Sequence, residues 1–113
     1  MIRIDKRRGS VRRTGRWAVP RRLELRSSWC DVALDFTNAV ITHDTLCIDM
    51  DAQGGSLILL VRPDTVVDAD SLTVRDTHVR LGPSAEPDAQ AILRVHLVGR
   101  MRYGQIEARW RSL

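Results

Sequence analysis

The chain is poor in aromatic residues, with three tryptophans, one tyrosine and one phenylalanine in 113 residues. Whatever core it builds must rest on Leu, Val and Ile. It has only two cysteines, Cys30 and Cys47, with no CxxC between them. That is too few for a disulfide scaffold, so both are expected as reduced small residues. Long apolar runs are missing too. The longest is Leu57–Val61, whereas a membrane helix needs about 20 consecutive apolar residues. No apolar stretch follows the N-terminal charges or the Arg12-Arg13 pair. A secretory or twin-arginine signal is therefore not expected, and the expected compartment is the cytoplasm. No stretch of ten residues carries the 3, 4, 7 spacing of an amphipathic helix.

What is present is alternation. Leu23 and Leu25 alternate with Glu24 and Arg26; Val32, Leu34 and Phe36 with Ala33 and Asp35; Leu46, Ile48 and Met50 with Cys47 and Asp49. The same period recurs at Leu72–Arg75, Val79–Leu81, Leu93–Leu97 and Ile106–Trp110. A period of two places one face in the core and one in water. Leu57–Val61 is apolar on both faces and predicts a central strand. Turn residues separate the runs: Ser27-Ser28, Gly54-Gly55, Pro63-Asp64, Asp76, Gly82-Pro83 and Gly104. The expectation is an all-β single domain of seven to nine short strands. A β-solenoid-like stack is favoured because aliphatic ladders suit its interior, and a β-sandwich is the alternative.

Charge divides the chain. Residues 1–26 hold ten basic side chains against two acids, while residues 27–113 hold eight against twelve. Residues 1–22 show no apolar periodicity and are expected to be a disordered, flexible basic arm, with the β domain spanning 23–113. Such an arm would attract nucleic acid or another anionic surface. The candidate contacts are Arg7, Arg8, Arg12, Arg13, Arg16, Arg21 and Arg22, with Trp17 as a stacking plane.

Catalytic and metal patterns fail one by one. His43, His78 and His96 form no HxH or HxxxH pair. Asp49-x-Asp51 before Gly54-Gly55 has the look of a calcium loop, but position twelve is Leu60 where a bidentate Glu is required. There is no GxSxG, and Cys47 has no sequence-adjacent histidine. No glycine pattern makes a phosphate loop. No catalytic residue, cofactor or metal is expected.

The stretches Val32–Thr42, Gly54–Leu57, Arg62–Asp68, Val98–Arg100 and Gly104–Arg109 carry a resemblance in spacing and turn chemistry. Across Leu23–Arg109 the chain resembles the C-terminal, toastrack-like domain of the LiaF-type cell-wall-active-antibiotic response proteins. The resemblance implies a β-solenoid-like domain that acts by binding, in or near envelope-stress signalling. The expected function is a non-enzymatic interaction module using its β surface on an unknown protein partner or on another copy of itself.

Overall fold

The computed structural model describes residues 1–81 and 91–110. Ten strands account for most of them: β1 Ile2–Arg13, β2 Ala18–Val19, β3 Arg22–Asp35, β4 Val40–Ile41, β5 Thr45–Val61, β6 Thr65–Asp68, β7 Leu72–Arg75, β8 His78–Leu81, β9 Leu93–Arg102 and β10 Gln105–Trp110. The fold is all-β, with no helix among the described residues. None is therefore long and apolar enough to cross a membrane.

Every pairing is parallel. Ile2 lies beside Leu23, Leu23 beside Ile48, and Ile48 beside Leu97. Five runs of chain thus lie one above another, which we call tiers: 2–13, 22–35, 45–61, 93–110 and 65–81, in spatial order. The first two steps span 21 and 25 residues, and the third, Ile48 to Leu97, spans 49. The third step is double because residues 65–81 run to the outer edge first. The chain then returns as β9 and β10, between that edge and β5. The small β2–β4 pair, with Ala18 beside Val40, adds a short parallel ladder in the connections.

The expectation of a disordered arm over residues 1–22 is overturned. Ile2–Arg13 is a strand paired with β3 over its whole length. Ile4 is buried, and Ile2, Val11 and Trp17 pack on the core. Disorder follows when a segment has too little apolar surface to offset the entropy of ordering it. Here a parallel ladder supplies backbone hydrogen bonds, and Ile2, Ile4 and Val11 lie beside Leu23, Leu25 and Val32, with Arg13 beside Leu34.

The core is a set of aliphatic ladders. One runs Val11, Val32, Leu57, Ile106, Val79, and another Ile2, Leu23, Ile48, Leu97. Their inner members are 2% exposed or less. β5 lies between β3 on one side and β9 and β10 on the other, which is why Leu57, Leu59, Leu60 and Val61 are all buried. Phe36 is the one large ring wholly within the core.

Candidate functional site

The outward rows on the first half of the sheet are charge ladders. Asp5, Arg26, Asp51 and Arg100 stand side by side on four successive tiers, alternating in sign. Arg100 meets Asp51 at 3.2 Å. Two positions along, Asp49 receives Arg22 at 2.6 Å and Arg26 at 3.6 Å. A further row places Arg22, Cys47, His96 and Asp68 in register. His96 Nδ1 approaches Asp68 at 3.4 Å. The Asp68 carboxyl is held below its ordinary range, first by the Asp70 backbone N–H and then by His96. Cys30 is buried and Cys47 partly so. Among the described residues, no three His, Cys, Asp or Glu side chains converge on a metal position.

The basic residues singled out from the sequence are spread over several environments. Arg22 is tied into the Asp49 cluster. Arg21 donates to His43 Nδ1 at 3.2 Å. Arg13 lies 5.8 Å over the Trp17 ring. Trp17 is not a free stacking plane: its indole N–H donates to the Asp35 carbonyl at 2.8 Å and its ring sits 5.2 Å from Phe36. Arg7, Arg8, Arg12 and Arg16 are exposed, and none has an acidic partner among the described residues.

The aromatic residues that do reach solvent are Trp29, 55% exposed, and Tyr103, 48% exposed. Both lie on a feature shared by all five tiers. Each tier bends through a positive-φ residue at the same register: Arg8 (56°), Trp29 (56°), Gly54 (72°), Tyr103 (55°) and Asp76 (49°), with Gly9, Gly55 and Gly99 also at positive φ. The ladder pairs on either side bring these five residues into one column. Left-handed backbone suits Gly and Asp. In a bulky residue it stores about 1–3 kcal/mol, and such strain gathers at functional positions. The Trp29 ring lies flat on Gly54, in the space a β-carbon there would fill, 2.2 Å from Trp29 Cε3. The next column is small: Gly9, Cys30, Gly55, Gly104 and Thr77. Gly55 has no room at all, since a β-carbon would stand 1.9 Å from the Cys30 carbonyl oxygen. The repeated triads Arg7-Arg8-Gly9, Ser28-Trp29-Cys30, Gln53-Gly54-Gly55 and Arg102-Tyr103-Gly104 are the signal that could have revealed this corner.

No family model, curated protein or solved structure matches the chain. The surfaces themselves must therefore carry any functional reading.

The two ends of the ladder differ. At the β1 end, two inward-row positions are charged: Lys6 beside Ser27 and Arg13 beside Leu34. At the other end the inward rows carry no charge, and apart from the buried Thr65 beside Leu93 they are apolar: Leu72 beside Gly99, Val74 beside Met101, Val79 beside Ile106 and Leu81 beside Ala108. Val74 and Val79 are 41% and 38% exposed although their inner neighbours are buried.

Proposed function

We propose that this chain is a non-enzymatic interaction module of β-solenoid type, and that its docking surface is the β6–β8 end, where a second copy of the chain binds. The exposure of Val74 and Val79 at the end of buried ladders carries this reading. An open sheet edge with apolar inward rows is a template for another strand. Inward-pointing charges block that addition, so Lys6 and Arg13 disfavour the β1 end. Charge points the same way. Six basic residues against one acid on Ile2–Arg13 make that end repel itself, whereas residues 65–81 hold three acids and two arginines. A mixed surface can satisfy itself across a two-fold axis, and a two-fold contact closes at the dimer.

The all-parallel register and the repeated bend support the solenoid reading. The spacing resemblance to LiaF-type domains supports a role in envelope-stress signalling. The test is light scattering over a concentration series. Wild type should pass from monomer toward dimer, and Val79→Lys should remain monomeric at every concentration with an unchanged circular dichroism spectrum. A wild type that stays monomeric, or a Val79→Lys variant that dimerises equally, overturns the reading.

A further inference from the structure

The bend that crosses all five tiers carries a second surface with a different chemistry, which meets the docking end only at Arg75 and Asp76. The column of bends presents Arg8, Trp29, Gly54, Tyr103 and Asp76 in order. The column just before it presents Arg7, Ser28, Gln53, Arg102 and Arg75. That second column is made of hydrogen-bond donors and contains no carboxylate. Arg7, Arg8, Arg75 and Arg102 are exposed, and none has an acidic partner among the described residues. This sets them apart from the next charged row, where Arg100 pairs with Asp51, Arg26 with Asp49 and Asp5 with Arg3. A hollow of about 220 Å³ opens where the two rows meet, with Arg7, Ser28, Gln53 and Arg102 on one side and Asp5 and Asp51 on the other.

We propose that this corner binds single-stranded nucleic acid, with the strand running across the tiers. Bases would stack on Trp29 and Tyr103, and phosphates would be held by Arg7, Arg8, Arg75 and Arg102. Neighbouring tiers stand about 4.8 Å apart, so the backbones of Trp29 and Tyr103 are roughly 10 Å apart, and the Trp29 ring lies over the buried Gly54 between them. Exposed rings flanked by unpaired guanidinium groups are what an unstacked, charged chain requires. A duplex hides its base faces, and no helix or protruding hairpin is present among the described residues to enter a groove. An acidic polysaccharide shares the anionic chemistry but lacks the π-faces, and it enters here as an outcome of the test.

The experiment is fluorescence anisotropy of labelled dT12 with the full chain, from 20 to 200 mM NaCl. With four phosphates neutralised, log K should fall against log salt with a slope of about −3. Arg7→Gln or Arg102→Gln should make that slope shallower by about 0.7 each. Trp29→Gly or Tyr103→Gly should weaken binding about 5- to 150-fold with little change in slope. Each variant is first shown to melt cooperatively, so that loss of binding is not loss of fold. A duplex of equal length and a sulfated polysaccharide compete in parallel. Absence of binding at 20 mM NaCl overturns the proposal. So do aromatic variants that bind as wild type does, or a preference for duplex or polysaccharide. Val79→Lys lies outside these two columns and should bind dT12 normally, so this outcome and that of the dimer test are read separately.

Discussion

Replacing Gly55 with alanine tests how tightly successive tiers are seated. Gly55 has φ +77°, and a β-carbon there would lie 1.9 Å from the Cys30 oxygen and 2.6 Å from the Cys30 carbonyl carbon. Both are backbone atoms of β3, so no side-chain rotation relieves the contact. Two costs add. Left-handed alanine costs about 1–2 kcal/mol. Parting β3 from β5 at the Cys30–Gly55 pair sacrifices about two ladder hydrogen bonds, each worth about 1 kcal/mol net and more when the groups stay buried. The expected loss is about 3–5 kcal/mol, a large share of a typical domain stability of about 5–15 kcal/mol. Gly15→Ala is the control. Gly15 has a similar φ, +79°, with nothing within 4 Å of its β-carbon position, so only the backbone cost of about 1–2 kcal/mol applies. Urea unfolding of both variants gives the comparison, read from midpoints at constant slope. A difference below about 0.5 kcal/mol would refute the close parallel seating of β3 on β5.

Other expectations follow from the same tiers. Deleting residues 1–21 uncovers Leu23, Leu25, Val32 and Leu34, each 2% exposed or less; the urea midpoint should fall and a hydrophobic dye should bind, whereas removal of a disordered arm would change neither. Tyr103→Gly should alter stability by no more than about 1 kcal/mol in thermal melts. Relief of left-handed strain at φ 55° offsets the glycine's extra chain entropy and a half-exposed ring. Asp68 should titrate below its ordinary value of 3.8 in carboxyl NMR. Because its folded value is lowered, its contribution to stability is present above 3.8 and is lost as pH falls through the folded value. Asp68→Asn should remove that part of the acid dependence.

The alternation that places Leu34, Ile48, Leu59, Val95 and Ile106 inward was legible in the sequence, because strand geometry imposes period two locally. The long strands were harder to read. Gly54-Gly55, Asp76 and Gly104 looked like turns that end strands. Strands do end at Asp76 and Gly104, but β5 runs on through Gly54-Gly55, and both halves of each tier keep their neighbours across the bend. The N-terminal strand was missed because its inward row is Ile2, Ile4, Lys6, then a bend, then Val11 and Arg13, and two charges break the apolar period at an end tier. The insertion of β9 and β10 between β5 and the β6–β8 edge left no local trace, since parallel partners lie up to 49 residues apart. The corner site was half visible: Arg7 and Arg8 stood out by charge. Trp29 and Tyr103 did not, because only the register brings residues 29 and 103 into one column. Trp17 drew attention by its place among the arginines, yet the fold turns it onto Phe36.

A second copy proposed to dock on the β6–β8 end should leave the β1 end free. Amide hydrogen exchange, measured at low and high protein concentration, reads both ends strand by strand. The predicted result is added protection at high concentration in Leu72–Arg75 and His78–Leu81, with Ile2–Arg13 unchanged. Added protection along Ile2–Arg13 instead, or none on either edge, would contradict it.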